Sequence, residues 1–364
     1  MNDLYTPDAY RAQLQEKAER VTSLFAPFTP PRLEVFDSPA TGFRMRAEFK
    51  IWHRGGRADY AMYRQGEYKK PYIISEFPPG YATIGKLMPP LLEAINQSEL
   101  LRRKLFQVEF LTTLSGEALI TLIYHKPLDD PWEAEASALS TQLQVKLIGR
   151  SRKQKRVLQD DFVIEKLTVK EREFQYQQIE SSFTQPNARV CEKMLTWAVE
   201  KSADFGGDLL ELYCGNGNFT LPLAQNFNWV LATELAKSSV NSALYNLSLN
   251  GVENVALARM SSEEFSQALD KVRPFRRLRH VDLDSYQFSS IFVDPPRAGL
   301  DPHTTEVAQR FDNILYISCN PETLKRDLDE LCKTHKLTSL ALFDQFPFTH
   351  HIECGAVLKR ITGD

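Results

Sequence analysis

Cysteine is scarce in this 364-residue chain, and none of it is spaced for pairing: Cys191, Cys214, Cys319, Cys332 and Cys354, with no CxxC. An odd count without such spacing sets aside a disulfide framework, a zinc site and an iron–sulfur cluster as expectations. No apolar run approaches a helical membrane span, and Met1-Asn2-Asp3-Leu4-Tyr5 lacks the build of a secretory signal. The expectation is a cytoplasmic protein with no membrane partner and no metal. A positive excess is also missing, since the net charge is −3. That figure alone does not point to a nucleic-acid partner.

Hydrophobic content of 43% and charged content of 25% are ordinary for a globular chain, and the length allows two domains with a sizeable core. The charge is unevenly spread, with a slight basic excess up to residue 180 and an acidic excess beyond it. Two basic clusters stand out: Arg102-Arg103-Lys104, and Arg150, Arg152, Lys153, Lys155 and Arg156. Each is either a solvated surface or a local stripe for phosphates, which can exist on a protein of negative total charge.

Residues 8–25 read as a helix with Tyr10, Leu14, Ala18, Val21 and Leu24 on one face. From Phe43 to Trp52 apolar and charged residues alternate, as in a half-buried strand. A hairpin around Ser115-Gly116, a helix over Trp132–Gln144 and short strands at Phe162–Val169 and Glu173–Gln178 complete a mixed first half. The second half alternates strand-like runs at Leu209–Tyr213, Val230–Thr233, Val255–Ala258, Ser290–Val293, Ile314–Ser318 and Ser339–Phe343 with helical stretches. That βα alternation predicts a doubly wound, mainly parallel sheet. The boundary is expected near residues 175–190, giving a mixed α+β domain over 1–180 and an α/β domain over 181–364.

Leu209–Tyr213 runs into Cys214-Gly215-Asn216-Gly217-Asn218, with a helix expected from Phe219. Glycines allow a tight strand-to-helix turn and close approach of backbone to a ligand. Glu234 ends the next strand, about 20 residues on, where a carboxylate can take both hydroxyls of a ribose. Glu211 at the entry to the turn would oppose a diphosphate but tolerates a sulfonium and an ammonium. S-adenosylmethionine (SAM) is therefore preferred over NAD.

Asp294-Pro295-Pro296-Arg297 follows the strand Ile291–Val293. Amino-group methyltransferases place an aromatic residue after such an Asp-Pro-Pro. Arg297 instead offers a guanidinium for a carboxylate, carbonyl or phosphate, which argues against an amine target. Ser318-Cys319-Asn320-Pro321 puts a thiol at a strand's carboxyl end, where α/β sheets bind ligands. The positive end of the helix that Pro321 opens is expected to lower the pKa of Cys319. Thiolate addition to carbon 6 of uracil makes carbon 5 nucleophilic towards a methyl donor, and a base must then remove the carbon 5 proton. His350-His351-Ile352-Glu353 offers that base, as Glu353 or either histidine.

The runs ELYCGNGNF, DPPRAGL, ISCNP and HHIEC, with FRMRAEFKIWH, KLFQVEFLTTLS and SFTQPN earlier in the chain, resemble the RNA 5-methyluridine methyltransferases, and among them the branch acting on tRNA. The resemblance covers nearly the whole chain. It implies a Rossmann-like class I SAM-dependent methyltransferase domain after a mixed α+β RNA-binding domain that clasps the tRNA T-arm. It further implies Cys319 as nucleophile, Glu353 as base, and Gln185, Tyr213, Asn218, Glu234 and Asp294 as SAM contacts. Lys50, Phe106, His125 and Phe183 match substrate positions, beside Arg297. The implied reaction is methylation of carbon 5 of the T-loop uridine of tRNA, by a monomer. Action on ribosomal RNA is the first alternative, but those relatives usually carry a four-cysteine cluster, and no cysteine precedes Cys191 here. A second alternative is an RNA-binding or RNA-folding protein with a relic methyltransferase domain, which an intact Cys319 and Glu353 oppose.

Overall fold

The alternation near residue 50 is realised in space: Phe43, Met45, Ala47, Phe49 and Ile51 are buried, while Glu48 and Trp52 face outward. The computed structural model describes residues 5–64, 66–67 and 70–361. Among them the chain runs from α1 (Pro7–Phe25) through β1 (Glu34–Phe36), β2 (Arg46–Arg54), β3 (Arg57–Met62) and β4 (Tyr72–Ile73) to α2 (Ala82–Gln97) and α3 (Glu99–Arg102). There follow β5 (Leu105–Thr112), β6 (Ala118–Tyr124), α4 (Asp130–Leu143), β7 (Lys146–Ser151), β8 (Gln154–Val157), β9 (Phe162–Val169) and β10 (Arg172–Ile179). The rest alternates: α5 (Ala188–Lys201), β11 (Asp208–Leu212), α6 (Thr220–Leu223), β12 (Val230–Thr233), α7 (Lys237–Leu249), β13 (Val255–Ala258) and α8 (Ser262–Leu269). It closes with β14 (Phe288–Val293), α9 (Pro302–Ala308), β15 (Asn313–Ser318), α10 (Pro321–Leu331), β16 (His335–Phe343) and β17 (Glu353–Arg360).

By contact the chain divides into two units. Among the described residues, one takes 5–6, Pro39–Lys166 and Gln177–Ala188, and the other Pro7–Ser38, Leu167–Tyr176 and 189–361. This differs from a single cut near residue 180. Helix α1 goes with the second unit because Val21 and Phe25 enter that unit's apolar core. Strand β1 goes with it because Glu34–Phe36 pair in parallel with Ala341–Phe343 of β16. Three residues of strand are too few to show a period.

The first unit holds a sheet of order β4-β3-β2-β5-β6-β7-β8. Its neighbours pair antiparallel except β6 and β7, which are parallel and joined through α4. Its core packs Phe49, Tyr60 and Phe110 of the sheet with Ile84, Met88 and Leu91 of α2 and Trp132 of α4. Helix α2 continues through Pro89 and Pro90.

The second unit holds the order β1-β16-β17-β15-β14-β11-β12-β13. All its pairs are parallel except those of β17, which runs antiparallel to β15 and β16. From β11 the chain winds outward through β12 and β13, then returns to β14 on the other side. The β11–β14 junction is thus a topological switch point, where open α/β sheets bind ligands. The helix expected from Phe219 is only the four-residue α6, continued by a 3₁₀ turn at Ala224–Asn226. Pro222 lies within it and cannot donate a backbone hydrogen bond. Among the described residues no helix is long and apolar enough to cross a membrane.

Candidate active site

Strand register gathers the candidate residues along one edge of the second unit's sheet. Leu212 pairs with Thr233 and with Val293, so Tyr213, Glu234 and Asp294 each stand one residue past three aligned strand ends. The β15–β17 ladder ends at Ser318↔Cys354, so Cys319 and Glu353 stand across from each other one step past its last pair. Pro321 opens α10 as expected, and Asn320 caps it by accepting the Glu322 N–H at 3.2 Å.

The glycine turn is tight. Tyr213 has φ +64° and its hydroxyl donates to Ser262 Oγ at 2.8 Å. Gly217, at φ +82°, has no room for more: a Cβ there would stand 2.9 Å from Leu221. Glu234 accepts the Gly215 N–H at 3.1 Å and the Ala236 N–H at 2.7 Å, so it bridges the turn to the start of α7. Asn218 exchanges weak hydrogen bonds with the Cys191 thiol, and its carbonyl accepts from Tyr176 Oη at 3.0 Å. Cys214 is buried, and desolvation with Glu211 and Glu234 raises its pKa well above the ordinary thiol value. The residue is 5% exposed, whereas Cys319 is half-buried.

The electrostatics at the edge are acidic. Burial pushes Asp294 up to about 7. Burial, and then Asp294, raise Glu353 well above the ordinary carboxylate value, while Arg297 lowers it. Cys319 is pushed up to about 11 by burial, Glu353 and Asp294, against Arg297, which lowers it. This corrects the expectation of a lowered pKa: two neighbouring acids and desolvation outweigh the helix end. His350 and His351 pack ring to ring at 4.2 Å, and burial lowers the pKa of His351.

Glu211 is the residue that sequence reasoning undervalues. It is 1% exposed, and neither carboxylate oxygen has a hydrogen-bond partner. Thr220 Oγ1 is unpartnered too. Burial pushes Glu211 up to about 8; the nearby Thr220 hydroxyl lowers it and Asp294 adds to the rise. A buried acid with the Thr220 hydroxyl as its nearby donor and, among the described residues, no cation beside it suits a cationic ligand group. Orphaned acid at the turn, a second acid at Asp294 and Glu234 for hydroxyls fit the chemistry of SAM.

In the first unit, three of the four substrate candidates come together. Lys50 Nζ lies 4.1 Å from the centroid of the Phe106 ring, which meets the His125 ring edge-on at 4.4 Å. Phe106 and His125 line an open cavity of about 780 Å³, with Lys126, Arg152 and Gln154 on its wall. Phe183 and Gln185 lie on the loop after β10, where Met45 N donates to Pro186 O at 2.9 Å. Phe183 is 77% exposed. Gln185 belongs to this unit, whereas the other four SAM candidates lie in the second.

The sheet order, and the edge at which the acids and the thiol gather, are those of a Rossmann-like methyltransferase. Residues 9–361 match the family described as tRNA (Uracil-5-)-methyltransferase. A tRNA/tmRNA (uracil-C(5))-methyltransferase of Cellvibrio japonicus is 62% identical over 98% of this chain and 97% of that protein. Another, of Saccharophagus degradans, is 58% identical over 97% of each. Among solved structures, the Pyrococcus abyssi tRNA (uracil-54, C5)-methyltransferase in complex with S-adenosyl-L-homocysteine superimposes with TM-score 0.73 at 22% identity, over 96% of this chain and 83% of that one. The chain belongs to the tRNA (uracil-5-)-methyltransferase family.

Proposed function

We propose that this chain methylates carbon 5 of the T-loop uridine of tRNA, with Cys319 as nucleophile and Glu353 as base. The observation that carries the reading is the register of β15 and β17, which brings Cys319 and Glu353 opposite each other one step past the ladder end. When bound, SAM supplies an electrophilic methyl group. Tyr213, Asn218, Glu234 and Asp294 would hold it, with the buried Glu211 facing positive charge. The Cys319 thiolate adds to carbon 6 of uracil and makes carbon 5 nucleophilic. After methylation Glu353 takes the carbon 5 proton, and the Cys319–carbon 6 bond breaks to return the thiolate. Arg297 supplies the positive charge that favours the thiolate.

The base must leave the T-loop stack to reach Cys319. The first unit would clasp the T-arm, with Lys50, Phe106, His125 and Phe183 offering cation and aromatic surface to unstacked bases. The chain would act as a monomer in the cytoplasm. The names of the relatives include tmRNA, so a tRNA-like RNA of that kind is a second substrate to test.

Incubation of the protein with unmodified tRNA and labelled SAM, followed by mapping of the product, tests the reading. It predicts 5-methyluridine in the T-loop, and label elsewhere or nowhere refutes it. Cys319→Ala should form no covalent RNA adduct, whereas Glu353→Gln should accumulate one.

A further inference from the structure

The two basic clusters have different fates. Most of the later one is neutralised within the protein: Arg150 pairs with Glu180 at 2.5 Å, Lys155 with Asp161 at 2.7 Å, and Arg156 with Asp130 at 3.0 Å. The earlier cluster has no such partners. None of Arg54, Arg57, Arg102, Arg103 and Lys104 makes a salt bridge among the described residues, and all but the half-buried Arg102 are exposed.

Three of these cations, Arg102, Arg103 and Lys104, line one depression, and Arg102 also donates to Asn96 O. A cavity of about 360 Å³ is lined by His53, Gly56, Glu99, Arg102, Arg103 and Lys104. At its rim the β2–β3 hairpin sets Arg54 directly opposite Arg57. Like charges in that register repel. Lys126 feels the same excess: its pKa is lowered by burial and by Arg103, against Asp129 and Glu99, which raise it. Lys104 holds φ +60°, so the turn keeps a cation where the backbone would favour glycine. Glu99 is the acid that lines the cleft. Three cations against one acid leave the cleft net positive and open to an anionic ligand.

We infer that the cleft between α3 and the β2–β3 hairpin binds backbone phosphates of the RNA substrate, as a docking site separate from the groups that hold the target base. The inference rests on the proposed RNA substrate. Backbone binding carries no sequence information; it fixes register and orientation. The location suits that role, because Lys104 stands two residues before Phe106, and its carbonyl accepts the His125 N–H at 2.9 Å.

The test measures the affinity of wild type and the Arg103→Gln/Lys104→Gln double variant for a tRNA transcript across a series of salt concentrations. Both side chains are exposed and unpaired, and equal thermal midpoints establish that the variant folds. Each lost phosphate contact lowers the slope of log affinity against log salt by about 1, and the pair should weaken binding by roughly tenfold at physiological salt. The loss should fall on KM for tRNA rather than on kcat. Lys155→Gln, which removes a cation already paired with Asp161, should keep the wild-type slope. An unchanged slope in the double variant overturns the inference, as does an equal fall in Lys155→Gln or equal capture of polyglutamate. Failure of the parent reading shows separately, as wild type that makes no 5-methyluridine in tRNA.

Discussion

Lys17 Nζ meets Asp344 Oδ1 at 2.7 Å, with the two side chains only 5% and 0% exposed. Lys17 also donates to Phe346 O at 3.0 Å, and Gln13 Oε1 accepts the Phe348 N–H at 2.6 Å. Helix α1 therefore pins the loop that leads into Glu353. A carboxylate near the chain's end is positioned by a helix near its start, which explains why α1 belongs with the second unit.

Breaking that pair should be expensive. Lys17→Met leaves Asp344 as an uncompensated buried charge, and its Oδ2 already lacks a partner. The expected loss is about 3–5 kcal/mol, read from urea unfolding. The double variant Lys17→Met/Asp344→Leu should recover much of it, since a buried pair replaced by apolar groups is often neutral. A loss below about 1 kcal/mol in Lys17→Met would show that the pair does not hold the loop.

The thiol at about 11 and the raised Glu353 set the pH dependence of the chemistry. Adduct formation needs the thiolate, so its rate should climb with pH from 6 to 9 without a plateau. Arg297 lowers the pKa of both groups. Arg297→Gln should therefore slow adduct formation at neutral pH and move the profile further towards alkali. Rapid-quench measurement of adduct against pH checks this, and a plateau below pH 7 would contradict the arrangement described.

Stability of the ligand-free protein should move the other way. Glu211 and Asp294 have folded values of about 8 and about 7, against reference values of 4.5 and 3.8. The folded state then binds more protons than the unfolded one between those limits. Their stabilising contribution is whole below pH 4 and is lost as pH rises through 7 to 8. The thermal midpoint should fall across that window, and Glu211→Gln should flatten the fall. Stabilisation by SAM, which brings positive charge, should grow over the same range. An identical profile in Glu211→Gln would remove Glu211 from this account.

Much of the site is legible in the sequence because parallel strands read as short apolar runs whose next residue faces the ligand edge. Glu234, Asp294 and Cys319 stand out that way, whereas Tyr213 is read as the strand's last residue and becomes a candidate only through the family resemblance. Glu353 is harder, because two histidines precede it and only the family resemblance separates them. Other features depend on distant contacts. Nothing local marks Lys17 as buried, or shows that the Arg150 cluster is spent on Glu180, Asp161 and Asp130. The direction of the Cys319 shift escaped for a similar reason. The helix end is local and visible, whereas Glu353 and Asp294 arrive from other strands.

The loop carrying Arg297 gives the sharpest test of positioning. Asp327, on α10, accepts the Leu300 N–H at 2.8 Å and the Tyr316 hydroxyl at 2.6 Å. Arg326 donates to Ala298 O at 2.9 Å and Leu300 O at 3.0 Å, while Asn320 and Thr323 both donate to Arg297 O at 3.2 Å. The helix that begins beside Cys319 thus grips the backbone of the loop that carries Arg297. Gly299 lies inside that grip at φ +76°, and a Cβ there would stand 2.6 Å from Arg326 Nη2 and Asp327 Oδ2. Gly299→Ala must therefore strain the backbone and push the clamp apart. The expected cost is about 2–4 kcal/mol, from the left-handed conformation and the disturbed buried hydrogen bonds. A displaced Arg297 should also slow adduct formation, by roughly tenfold or more. Arg297→Gln provides the comparison: it should slow adduct formation with little change in unfolding, because its side chain is exposed. If Gly299→Ala unfolds like wild type and forms adduct at the wild-type rate, the clamp does not position the loop.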